Sequence, residues 1–243
     1  MSKRTSASSN DGTAKAGASV GSEPSYDKQK VLLASTTGHF SLLRALHMAD
    51  FITELNGACG ILSVFSSLRY CLGDPSDKSN LYLALAFLPF GLFFDFMDGR
   101  VARWRKKSSM MGQELDSLAD LISFGLAPAC VAFSIGFRTT LDHVCLAVFV
   151  LCGLTRLARF NVTAANIPKD ATGKASYFEG TPIPTTLGLD ALMAWWVSQD
   201  RILADVPGGL WFAGSALEVH PVVFLFVVHG CLMCSKSLHV PKP

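Results

Sequence analysis

DFMDGRVARWRKKSSMMGQELDSLAD, residues 95–120, sets four aspartates, Asp95, Asp98, Asp116 and Asp120, between apolar runs of membrane-helix character. Ionised carboxylates beside hydrocarbon are costly, so an acidic residue kept there points to function. Asp95 and Asp98 stand three residues apart, Asp116 and Asp120 four apart. On a helix each spacing returns to one face, with the two side chains roughly 40–60° apart around the axis. Two such faces brought together form an oxygen-rich cage suited to Mg²⁺ or Mn²⁺, the hard ions that carboxylates prefer.

Outward from this segment the chain is apolar. It has 243 residues, half of them hydrophobic, and a mean hydropathy of +0.35. That excludes an ordinary soluble domain and predicts a polytopic membrane protein. Six apolar stretches approach the length of a span: about 50–71, 80–103, 112–137, 140–161, 181–199 and 219–235. The fold class expected is therefore all-α integral membrane, a bundle of six transmembrane helices. Ahead of it, His39 to Met48 (HFSLLRALHM) places Phe40, Leu43 and Leu46 on one face and Arg44 and His47 opposite. This predicts an N-terminal interfacial amphipathic helix on the bilayer; a helix capping the bundle is the alternative. Residues 1–36, rich in Ser, Lys, Gly and Asp, read as a disordered tail before a membrane domain at 37–243. Seven scattered cysteines in mostly apolar runs exclude a secreted disulfide framework. Cys231 and Cys234 read as small packing residues rather than a redox pair.

Charge sets the orientation. With six spans and both termini on one side, 17 of the 21 Lys and Arg residues share that side with the aspartates. The positive-inside rule makes it the cytoplasm. The sequon at Asn161 to Thr163 would then also be cytoplasmic and unglycosylated.

Within the aspartate segment, Gly99 follows Asp98 and Gly112 precedes Asp116 by four residues. Without side chains they let a bulky group approach the backbone. Arg100, Arg103, Arg105, Lys106 and Lys107 lie between them. Carboxylate-held metal beside arginine suits a diphosphate, whose oxygens both can share. One aspartate would remain to take a proton from an acceptor hydroxyl. A hairpin in which Asp and Arg merely pair explains one couple, but not four acids in two helical pairs with two glycines. An ion-transport site would need the acids and leave the glycines and Arg103 unexplained.

The pattern Asp95-x2-Asp98-Gly99-x2-Ala102-Arg103-x8-Gly112-x3-Asp116-x3-Asp120 resembles the signature of the CDP-alcohol phosphotransferase family, with every position filled. The segments LHMADFITELNG, LTRLARFNV, YFEGTPIPTT and HGCLMCSKSLHVPKP resemble the fungal-type, serine-using branch of that family. The likeness runs from about His39 to Pro243 and is loose around residues 200–218. It implies transfer of a phosphatidyl group from CDP-diacylglycerol to L-serine, with release of CMP and dependence on Mn²⁺ or Mg²⁺. Carried onto this chain, it implies Asp95, Asp98 and Asp116 as metal ligands. Asp120 would be the general base and would also touch a second ion. Gly99, Ala102, Arg103 and Gly112 would shape the CDP site, and Thr53 and Asn56 would reach the nucleotide. The resemblance further implies a homodimer, residence in the endoplasmic reticulum membrane, and no nucleic-acid partner.

A serine site needs a cation for the carboxylate. Arg156 and Arg159 stand three apart near the end of the fourth apolar stretch, with Asn161 adding polar capacity. The planar fork of arginine suits a carboxylate. The same two arginines could instead snorkel to headgroups or hold the donor phosphates.

Overall fold

The computed structural model describes residues 48–105, 110–163, 177–215, 217–235 and 239–241. These belong to one compact unit, Leu46–Pro243. The expected interfacial helix at 39–48 and the tail at 1–36 lie outside the described residues, Met48 excepted.

The described chain is all-helical apart from a short ribbon. Helix α1 spans Met48–Leu72 and α2 Ser79–Arg105. They pack along each other as the most extensive helix pair. Their link is polar and tight: Asp74 accepts from the Ser76 N–H and Asp77 from the Ser79 N–H, each at 2.9 Å, the second closing the open end of α2. The third stretch is broken into α3 (Met110–Asp120), a π-helical turn at Leu121–Leu126, and α4 (Ala127–Ile135). Pro128 explains the break. It has no N–H to offer the carbonyl four residues back, and the Ala127 N–H bonds instead to the Ile122 carbonyl, five back. Helix α5 follows over Thr140–Thr163.

Four segments are long and apolar enough to cross a membrane: Asp50–Leu72, Ser79–Val101, Met111–Ile135 and Thr140–Val162. The expected fifth and sixth spans fold as shorter apolar helices, α6 (Leu187–Ser198) and α7 (Phe224–Cys234). At about 1.5 Å per residue neither covers a core of about 30 Å alone. Prolines are the reason. Each helix is entered through a 3₁₀ turn, Ile183–Thr186 after Pro182 and Pro221–Val223 at Pro221. Strands β1 (Tyr177–Glu179) and β2 (His239–Pro241) pair antiparallel, with Phe178 opposite Val240.

The core is one apolar cluster that includes Leu88, Phe124, Phe137, Phe149 and Phe226. Phe137 meets Trp196, Phe226 and His220 edge-on, with ring centroids 5.7–6.3 Å apart. Trp196 is thus a core residue, where adjacency to Trp195 suggests an interfacial belt; only Trp195 is exposed. Phe51, Leu62, Phe65, Phe93, Leu118 and Leu151 face outward along the four spans, as a surface solvated by lipid requires.

Candidate functional site

The aspartates meet where α1, α2 and α3 converge. Helix α1 carries a stripe of small and polar residues at helical spacing, Asp50, Thr53, Asn56, Gly57, Gly60 and Ser63, all buried. Such a stripe lets backbones approach closely and supplies interhelical hydrogen bonds within a membrane. A Cβ at Gly60 would come within 2.8–2.9 Å of Ser123 Oγ, Ile122 Cγ2 and Ser123 Cα. One at Gly91 would reach 3.0 Å from Asn56 Oδ1. Both glycines are needed for α2 and the π turn to sit against α1.

That contact positions the acids. Thr53 Oγ1 donates to Asp98 Oδ2 at 2.6 Å. Asn56 Nδ2 donates to Asp120 Oδ1 at 3.2 Å, and Ser123 Oγ holds the Asn56 carbonyl at 2.8 Å. Asp95, Asp98 and Asp116 each offer an oxygen within 4.8 Å of the other two. Asp120 joins them through Asp95, whose carboxyl group it meets. The four acids expected from the sequence therefore form one cluster from two helices, with three converging most tightly. Thr53 and Asn56, expected to reach a nucleotide, are seen bonded to Asp98 and Asp120.

Two unit charges 4.8 Å apart repel by roughly 3 kcal/mol at an effective dielectric of about 20. Among the described residues no lysine or arginine forms an ion pair with the four acids. Asp116 Oδ1 is buried without a hydrogen-bond partner. A hard divalent cation resolves both features, because it neutralises the cluster and takes up the orphaned oxygen. The donor set fits such an ion: oxygen only, from four carboxylates.

Gly99, directly after Asp98, has open space where a Cβ would stand. No atom of the described residues requires a glycine there. Gly112 lies in the first turn of α3, before Asp116. Helix α2 carries the backbones of Ala102 and Arg103, whose side chains lie outside the described residues.

Of the residues expected to take serine, Arg156 is buried, lies within electrostatic range of Asp120, and has Nε without a partner. Arg159 donates from Nη1 to the Cys234 carbonyl at 3.1 Å, tying the end of α5 to α7. Asn161 accepts from Ser117 Oγ and donates to Glu114, each at 3.1 Å, tying α5 to α3. Ser123 and Asp50 were not legible as site residues. Their signal lay in the spacing from Asp50 along α1 and in Ser123 standing three residues after Asp120.

Comparison with known proteins agrees with this geometry. The CDP-alcohol phosphatidyltransferase family matches residues 46–229. A CDP-diacylglycerol–serine O-phosphatidyltransferase of Saccharomyces cerevisiae is 56% identical over 207 residues, covering 84% of this chain and 74% of that protein. One from Bacillus subtilis is 36% identical over 135 residues, 55% of this chain and 67% of that protein. One from Methanocaldococcus jannaschii is 30% identical over 200 residues, 79% and 86% respectively. With the family match spanning both aspartate pairs and the helices that hold them, the chain belongs to the CDP-alcohol phosphatidyltransferase family.

Proposed function

We propose that this chain transfers the phosphatidyl group of CDP-diacylglycerol to the hydroxyl of L-serine, giving phosphatidylserine and CMP. The observation that carries the reading is the aspartate cluster, crowded, without an ion pair to any described lysine or arginine, and built on the family's motif. The serine acceptor rests on the relatives, whose names specify it.

Asp95, Asp98, Asp116 and Asp120 would hold Mn²⁺ or Mg²⁺, which when bound supplies Lewis-acid polarisation of the diphosphate and neutralises its charge. Thr53 fixes the rotamer of Asp98, and Asn56 that of Asp120. Asp120, held by Asn56, takes the proton of the serine hydroxyl as that oxygen attacks the β-phosphorus. The bond from phosphorus to the bridging oxygen breaks, and CMP leaves with the electron pair, its charge shared by Arg103. Gly99, Ala102 and Gly112 leave room for the CDP moiety against the backbone; the open space at Gly99 supports this. Arg156 takes the serine carboxylate, since its Nε is unspent and it lies near Asp120. Arg159 and Asn161 frame it from the end of α5.

In this reading α6 and α7, with their 3₁₀ entries, complete a six-helix bundle, and residues 39–48 lie on the bilayer surface as an interfacial helix. Residues 1–36 form a tail outside the membrane domain at 37–243. The aspartate end faces the cytoplasm from the endoplasmic reticulum membrane, as the clustering of basic residues supports. The enzyme works as a homodimer.

The test is CMP release by purified protein with CDP-diacylglycerol and Mn²⁺, with and without L-serine, beside Asp120→Asn. Serine-dependent release that the variant loses is expected. Release driven by inositol or glycerol phosphate instead keeps the family chemistry and refutes the acceptor.

A further inference from the structure

The far end of the bundle, away from the aspartates, carries one connection unlike its neighbours. Lys78, ahead of α2, pairs with Asp200 there, and Asp142, at the start of α5, binds His220. The other links at this end carry charge: Gly73 to Lys78 contains two aspartates and a lysine, and the link from Gly136 to Thr139 contains Arg138. Residues 207–217, PGGLWFAGSAL, contain no charge. Leu210, Trp211, Phe212 and Leu217 within them are 41–66% exposed.

This loop is firmly mounted. Trp211 and Val219 exchange both backbone hydrogen bonds, at 3.0 and 3.2 Å. Glu218 accepts from the Gly214 N–H at 2.6 Å, and the His220 N–H donates to Asp142 at 3.0 Å. Gly208, at φ +86°, lets the chain pass against Pro221. Phe212 is held at φ +59°, a conformation that an aromatic residue rarely adopts, while its ring gains little burial in the protein. The fold thus fixes a bulky apolar tip outward. The same end carries a mark of the membrane boundary: Trp195, exposed in the last turn of α6, with the Arg201 guanidinium 5.9 Å from its ring.

We propose that the 207–219 loop is a membrane-interface anchor, seating Trp211, Phe212 and Leu217 in the leaflet opposite the aspartate centre. The occupant is the boundary between headgroups and acyl chains. The absence of charge suits that layer, and an indole suits it doubly, with an apolar body and one N–H for lipid carbonyls or water. Asp205 precedes the apolar run and would stay on the water side, while the Glu218 carboxylate that follows the run is spent on the Gly214 N–H. The loop would fix the depth of the bundle from the far side, where α6 is too short to do so alone.

The test reads Trp211 in the full chain, reconstituted in bilayers with lipids brominated near the carbonyl region. Subtracting the emission of Trp211→Phe isolates this residue from Trp104, Trp195 and Trp196, and retained CMP release shows that the variant is folded. The expected result is a blue-shifted Trp211 component lost to bromolipid and insensitive to aqueous iodide. A red-shifted component quenched by iodide, or one sensitive to neither and shielded by a second copy of the chain, would overturn the proposal. Neither result bears on the acceptor or the aspartate chemistry.

Discussion

The two ends of this bundle treat buried aspartates in opposite ways. At the far end Asp142 is fully buried and fully used. It accepts from the Thr139 N–H at 3.1 Å and from the His220 N–H at 3.0 Å, and binds His220 Nδ1 at 2.6 Å. Thr139 Oγ1 accepts from the Asp142 N–H in return, a reciprocal cap on α5. At the near end four carboxylates crowd together, and one buried oxygen finds no partner. Satisfied acids staple helices. Crowded, under-satisfied ones are held for something that arrives from outside. Asp190 in α6 fits neither class: it is buried, with both oxygens lacking partners among the described residues, and we have no physical account of it.

The sharpest way to break this contrast is to neutralise one acid at each end. Asp116→Asn should lower serine-dependent CMP release on the order of 10²–10³-fold, the size expected when a preorganised charge-stabilising group is lost. Its thermal midpoint should hold or rise, because repulsion is relieved. A fall in stability matching that of a core mutant would make the cluster structural after all. Asp142→Asn should do the reverse. It weakens hydrogen bonds to a buried charge and should cost about 2 kcal/mol of stability, seen as a lowered unfolding midpoint with near-normal turnover by the folded fraction.

Two glycines sharpen the same comparison at smaller scale. Gly60→Ala would press a methyl against Ser123 and should cost about 1–3 kcal/mol through overpacking, with activity falling as the π turn and Asp120 shift. Gly99→Ala meets no atom of the described residues and, standing inside α2, should hold or raise the unfolding midpoint while raising the KM for CDP-diacylglycerol. Equal losses of stability in the two variants would show that Gly99 serves packing rather than ligand approach.

The cluster was legible because helical periodicity is a local property. Spacings of three and four place two carboxylates on one face whatever the rest of the chain does. The role of α1 was only half legible. Thr53 and Asn56 entered through the family resemblance, as contacts to a nucleotide, but their partners Asp98 and Asp120 lie 45 and 64 residues away. No local pattern reveals a bond at that distance. The short lengths of α6 and α7 were not legible for a related reason: hydropathy registers apolar residues without the prolines that turn their first residues into 3₁₀ geometry.

By itself the sequence determined that this is a helical membrane protein with a divalent-metal motif of one family, because composition, periodicity and fixed spacing act within single helices. Only the tertiary structure decided which acids converge, that Thr53 and Asn56 hold them, that Arg156 rather than Arg159 keeps a spare donor near Asp120, and that Trp196 is core while Trp211 points outward. Those outcomes depend on how closely α1, α2 and α3 approach at Gly60 and Gly91, and on where α5 and α7 end. Such distances are set by packing between segments far apart in the chain.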